Sequence, residues 1–231
     1  VVNCDLNPIA AFQAMEMAMD AVIQRGRLAC GGVSELRGNG QVINRKVLES
    51  CGGFNEQTIT DDLDLSFRFL LTRSPIVIMW DPPIQEEAVE SLSALFRQRK
   101  RWAEGGLQRF FDYWPLLFSK RLSNFKKIDL SCFFLLQYVL PVVSFIDCLV
   151  SIILFEMPLY WPLSIVAFGI SSIAYWKGCS QNSEGPNLPS PNFINIIGAT
   201  IYLAHWFIVI PFIVIKMSLF RKTLIWAKTD H

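Results

Sequence analysis

Histidine is nearly absent from this 231-residue chain, with His205 in an apolar run and His231 at the last position. That excludes histidine-ligated zinc and a Ser-His-Asp triad for want of material, so any enzymatic proton transfer falls to carboxylates. The six cysteines, at 4, 30, 51, 132, 148 and 179, form no CxxC pair. A disulfide framework or thiolate metal site is excluded on that spacing, and scattered thiols in a reducing compartment remain. Charge is scarce in the second half: residues 130–231 carry 5 basic and 4 acidic side chains, against 16 and 16 in residues 1–129. A net charge of +1 leaves no basic excess for nucleic acid, and a hydrophobic content of 52% excludes disorder. Neither an initiator methionine nor a secretory signal opens the chain, which begins Val1-Val2. It is therefore expected to be a piece of a longer protein.

What the second half has instead is three apolar runs, 130–155, 158–176 and 193–215, each about the length of a bilayer-spanning helix. These predict an integral membrane region at 130–231 that follows a water-soluble part at 1–129. The first two runs are nearly contiguous and read as a helical hairpin. The stretch 178–192, with Gly185-Pro186, Pro189 and Pro191, reads as a loop. Residues 97–127 hold nine Lys/Arg against Glu104 and Asp112, which places them in the cytoplasm by the positive-inside rule. Three full crossings would then put Lys216, Arg221, Lys222 and Lys228 on the other side, so the topology stays open. Asp147 reads as a helix-end residue that reaches water near Glu156, rather than a transport or catalytic group.

In the soluble part, Pro8 opens a helical pattern through Phe12, Met15, Met19, Val22 and Ile23 to about Arg27, with Met15, Met17 and Met19 as core. Gly31-Gly32 and Gly38-Asn39-Gly40 break the chain, and 41–44 reads as extended. Residues 45–50 make one or two helical turns, stopped by Gly52-Gly53. Residues 76–80 are β-rich, end at Asp81-Pro82-Pro83 and predict a buried strand. Ser91 caps a helix to about Arg109. This order suits the second half of an α/β domain.

Two constellations can carry chemistry. Thr60-Asp61-Asp62-Leu63-Asp64 starts a helix, where Thr60 is a candidate cap and acids suit the dipole. Asp64 can pair with Arg68 one turn on. Three acids in four residues exceed what capping needs, and close like charges raise one another's pKa, as a general base requires. In Gln98-Arg99-Lys100-Arg101-Trp102, the residues Gln98, Arg101 and Trp102 share one helix face. An amide, a guanidinium fork and an indole together suit a sugar, a diphosphate and a ring stack. Arg97, Arg99 and Lys100 read as a basic surface on anionic headgroups.

Thr60-Asp61-Asp62 followed by Gln98-x-x-Arg101-Trp102 resembles the TED and QxxRW motifs of membrane-bound family 2 glycosyltransferases, with Asp61 in place of the usual Glu. Gly31 to Gln41, Ser50-Cys51-Gly52-Gly53, Thr58 to Leu65, Gln85-Glu86-Glu87, Arg101 to Gly106 and Trp226-Ala227-Lys228-Thr229 resemble one branch of it. That branch makes β-monoglucosyldiacylglycerol in oxygenic photosynthetic bacteria. The resemblance implies the C-terminal part of a GT-A (Rossmann-like) domain followed by a transmembrane helical region. It implies glucose transfer from UDP-glucose to 1,2-diacylglycerol with inversion. By the same resemblance Asp62 is the base and Asp61 tunes it. Gln98, Arg101 and Trp102 hold the donor diphosphate and the acceptor end of the cleft, and Gly38, Asn39 and Gly40 let the backbone approach the sugar. The family's Mg²⁺ ligands and uridine-binding acids are expected upstream of Val1, so this piece alone is expected to be inactive. A processive polysaccharide synthase and a non-catalytic membrane fragment remain as alternatives. The choice among UDP-sugars rests on pocket shape that sequence does not give.

Overall fold

The structure, a computed structural model, describes residues 1–79, 84–117, 119–181 and 188–219. Its elements run α1 (Pro8–Ala29), α2 (Arg45–Ser50), α3 (Asp61–Leu71), α4 (Leu92–Asp112), α5 (Trp114–Leu117) and α6 (Asn124–Phe134). A π segment (Leu135–Val139) continues into α7 (Leu140–Leu154), followed by α8 (Trp161–Ser180) and α9 (Phe193–Tyr202). A 3-10 turn (Leu203–His205) then leads into α10 (Trp206–Leu219).

Side-chain caps set several of these starts. Asn7 Oδ1 accepts from Ala10 N at 3.0 Å with Pro8 behind it, Ser91 Oγ accepts from Ala94 N at 3.2 Å, and Asn192 Oδ1 accepts from Asn195 N at 2.8 Å. At α3 the expectation needs correcting. Thr60 holds the cap position, but its side chain makes no capping bond. The π segment has a local cause. Pro141 lacks an N–H and crowds the carbonyl four residues back, at Gln137, and a wider turn relieves that clash.

Among the described residues there is no strand, so the α/β character expected of this chain is not seen in it. Residues 75–79 alternate in exposure, with Val77 and Met79 76% and 75% exposed, a pattern that suits a strand. What is missing is a ladder partner, without which an extended run is not a strand. Trp80, Asp81, Pro82 and Pro83 lie outside the described residues.

Two apolar clusters hold the helices together. In one, Phe67 and Leu70 of α3 and Leu107 and Phe110 of α4 meet Tyr138 of the π segment and Ile210 of α10. In the other, Met15 and Met19 of α1 lie against Ala174 and Tyr175 of α8 and Ala199 of α9. A Cβ on Gly178 would overlap the Ala18 carbonyl, so α1 and α8 touch backbone to backbone there. Arg27 and Asp129 pair at 2.8 Å, and Asp129 also accepts from Val33 N, which ties the end of α1 to α6.

Two helical stretches, Asn124–Leu154 and Phe193–Leu219, are long and apolar enough to cross a membrane. The middle apolar run folds as the 20-residue α8 but falls short of that standard. The hairpin expected of the first two runs is not the main packing: α7 lies chiefly on α10, and α8 on α1. Asp147 accepts from Leu159 N at 3.0 Å and Tyr160 N at 2.8 Å in an exposed position, so it ties down the turn before α8. Lys216, near the end of α10, donates to Glu104 of α4 at 2.7 Å. Arg221, Lys222, the ending from Trp226 to Thr229, His231 and residues 182–187 of the loop lie outside the described residues.

Candidate active site

The three acids of α3 part company according to what faces them. Asp64 is buried and saturated. It pairs with Arg68 at 2.8 Å, accepts from the Tyr113 hydroxyl at 2.8 Å and accepts from Asn55 Nδ2 at 3.3 Å. Arg68 in turn donates to the carbonyls of Cys51 and Gly53. This clamp fixes the 51–57 loop against α3, and burial together with the Asp64 bond pushes the Tyr113 hydroxyl pKa up. Asp61 is exposed, and Asp62 is half-buried. Burial lifts the Asp62 carboxyl above the usual carboxylate range; the Leu63 backbone N–H opposes this, the Asp61 charge adds to it and Arg109 draws it back. Asp62 thus combines a raised proton affinity with a carboxylate less enclosed than that of Asp64.

The Gly38-Asn39-Gly40 turn lies over this carboxylate. A Cβ on Gly38 would stand 3.9 Å from Asp62 Oδ2, so the backbone itself forms that wall. Gly40 has φ +67° and faces Ile84, where a side chain would clash. Asn39 donates to Glu86 Oε2 at 3.2 Å, which joins the turn to the 84–90 segment. Val2 N donates to the Glu86 carbonyl at 2.9 Å, and Asn3 bonds Ala88 in both directions. Arg37, beside the turn, pairs with Asp20 of α1.

Helix α4 approaches the same place through glycine. Gly105 packs so closely on Thr60 that a Cβ would overlap its Oγ1 and Cγ2, and Gly106 does the same with the Tyr138 hydroxyl. Gly105 lies one turn beyond Arg101 on the same face, which brings the two motifs together at the start of α3. Gln98 is buried and accepts from Gln13 Nε2 at 3.3 Å, while Gln13 Oε1 accepts from Val89 N at 3.2 Å. Arg101 and Trp102 are half-buried. Lys100 reaches the Phe212 ring of α10 at 4.4 Å, and Arg97 is exposed.

Arg99 overturns the headgroup assignment. It is fully buried, pairs with Glu16 of α1 and stacks on Trp102 at 4.3 Å. Its partner was legible in part, because Glu16 falls at i+4 from Phe12 and i−3 from Met19, a charge on an apolar helix face. Sequence reasoning also missed Arg109, which is buried against Glu35 at 3.0 Å and acts on Asp62. Nothing in the spacing marks it.

Among the described residues no group of three His, Cys, Asp or Glu side chains is placed to hold a metal ion. The Asp62 carboxyl can accept a proton beside the glycine turn, and α4 carries the half-buried Arg101 guanidinium and Trp102 indole.

The sequence profile described as "Glycosyl transferase family group 2" matches residues 7–220. A protein of Synechocystis sp. named beta-monoglucosyldiacylglycerol synthase is 42% identical over 224 residues, 95% of this chain and 47% of that protein. One of the same name from Trichormus variabilis is 38% identical over 235 residues, 100% of this chain and 50% of the other. The probable glycosyltransferase YdaM of Bacillus subtilis is 23% identical over 255 residues, 100% of this chain and 57% of the other. The chain therefore spans about half the length of the curated relatives it matches. No solved structure matches it.

Proposed function

The chain belongs to glycosyl transferase family group 2, and from that premise we propose that the whole protein makes β-monoglucosyldiacylglycerol from UDP-glucose and 1,2-diacylglycerol. The acceptor hydroxyl attacks the anomeric carbon from the face opposite UDP. Its proton passes to a carboxylate oxygen of Asp62 as the new C–O bond forms, and the old bond to the diphosphate breaks with inversion. An alcohol this weakly acidic needs such a base in line, and the departing UDP needs positive charge. Asp61 keeps Asp62 from becoming too weak a base. Arg101 meets the diphosphate, Gln98 fixes the start of that face through Gln13, and Trp102 borders the acceptor end. The glycine turn at Gly38, Asn39 and Gly40 closes over the sugar.

The observation that carries this reading is a half-buried, proton-avid Asp62 beside Gly38, with the adjoining Thr60 packed on Gly105 of the Arg101-Trp102 helix. The names of the 42% and 38% identical relatives supply the donor and acceptor classes. Family membership implies a GT-A fold, and in this reading the 75–79 segment supplies one of its strands. Mg²⁺ would be held by acids in the other half of the domain, where it would neutralise the diphosphate. Outward apolar side chains on α7 and α8 and the basic flank 97–127 support an integral membrane protein with its catalytic part in the cytoplasm.

The test uses membranes containing the full-length protein, radiolabelled UDP-glucose and Mg²⁺, with and without diacylglycerol. Diacylglycerol-dependent label in the chloroform phase, running as a monohexosyl lipid, is expected. Label in an alcohol-insoluble pellet would mean a polysaccharide synthase instead.

A further inference from the structure

Glu16 is where three helices meet. One carboxylate oxygen binds Arg99 Nη2 of α4, and the other accepts from the Trp206 indole N–H of α10 at 3.0 Å. Arg99 has no exposed surface, and its guanidinium carbon lies 4.3 Å from the Trp102 ring and 5.4 Å from the Trp206 ring. The same guanidinium reaches the Tyr202 hydroxyl at 3.3 Å, while its Nε and Nη1 find no hydrogen-bond partner among the described residues. Two unbonded N–H groups in a buried cation are costly. They are held against indole faces, where the ring quadrupole replaces part of the lost solvation.

A pair needed only for cohesion would be served as well by apolar side chains of similar volume. What an apolar replacement would not supply is a flat, directional plate. A guanidinium held by Glu16 lies over the Trp102 ring at 4.3 Å and so restricts how that ring can turn. Trp206 holds the second oxygen of Glu16 and so fixes the carboxylate that holds Arg99. The chain of contacts runs from α10 to the site: Trp206, Glu16, Arg99, Trp102.

We propose that Trp206, acting through Glu16 and Arg99, is a positioning residue that sets the orientation of Trp102 for the acceptor. The proposal rests on the placement of Trp102 in the cleft argued above. It makes the first turn of α10 part of the transfer machinery, although that turn does not itself touch substrate.

A double-mutant cycle in the full-length enzyme tests it. Trp206→Phe keeps an aromatic ring but removes the N–H that holds Glu16. Its expected effect is about a tenfold loss in kcat/KM for the acceptor, with KM for UDP-glucose unchanged, since small misplacements of a positioned group cost rate. Arg99→Lys keeps the charge against Glu16, loses the flat stack and is expected to do the same. Combined with Trp102→Phe, Trp206→Phe should add no further loss, because its effect passes through that ring. Losses that multiply would overturn the proposal. So would a Trp206→Phe enzyme with a lowered Tm but unchanged acceptor kinetics, which is the mark of a merely structural contact. Normal acceptor kinetics in Trp102→Phe alone would remove Trp102 from the site. That failure belongs to the placement itself, takes the proposal with it and is told apart by the single variant.

Discussion

Burial that lifts the Asp62 carboxyl above its usual range acts on folding and transfer in opposite directions. A carboxyl that binds its proton more tightly when folded loses stability as pH rises from the ordinary carboxylate pKa through the raised one. At neutral pH the charged form therefore weakens the fold. Asp62→Asn, which removes that buried charge, should raise Tm. Transfer needs the unprotonated form, so the acid limb of kcat/KM should fall at a pH above the ordinary carboxylate range. The same substitution should cut transfer about 10³-fold while UDP-glucose binding stays nearly intact. Near-normal turnover by that variant would sink the assignment of Asp62 as base. Three acids in four residues were visible in the sequence, but their division of labour was not. Asp64 is taken out of play by Tyr113, which lies 49 positions away. Arg99 was misread for the same reason, since its counter-charge Glu16 lies 83 positions away.

Helix α4 meets two other elements at consecutive glycines, and each contact is tested by a single methyl. On Gly106 that methyl would overlap the Tyr138 hydroxyl, whereas the ring carbon bearing it stays at 3.4 Å, a tight but tolerable approach. Gly106→Ala should therefore lower Tm by ~5 °C, in line with overpacking costs of roughly 1–3 kcal/mol. Adding Tyr138→Phe removes the offending oxygen and should restore most of the loss; a double variant no better than Gly106→Ala would show that the hydroxyl is not the obstacle. The helices were readable from their caps and 3.6-residue periods, as Asn7, Ser91 and the Gly52-Gly53 stop illustrate. The 76–80 strand was not, because its alternation states only which way side chains point. Pairing depends on a neighbour that lies nowhere among the described residues. Nor did the apolar runs reveal their partners: α8 chooses α1 because Ala18 and Gly178 permit backbone contact there.

On the scale of the whole molecule, one surface is apolar and one is chemical. Ile152, Ile153, Phe155, Leu159 and Ile173 stand open on α7, α8 and the turn between them, with Phe155 97% exposed. Water would penalise so many exposed large apolar side chains, and lipid would cover them. Asp62, Arg101 and Trp102 come with no metal-holding group among the described residues. Relatives twice as long have the chain length for the rest of such a site. Membrane attachment and catalysis should therefore separate when residues 1–231 are expressed alone. The chain should stay in the pellet after carbonate extraction, since the apolar surface belongs to it. It should transfer no label from UDP-glucose to diacylglycerol, since the diphosphate would lack its metal and its uridine pocket. Supplying the rest of the full-length protein as a separate chain should recover some transfer. Activity from residues 1–231 alone would mean that the donor site is complete in this chain, and the division of labour between the halves would have to be redrawn.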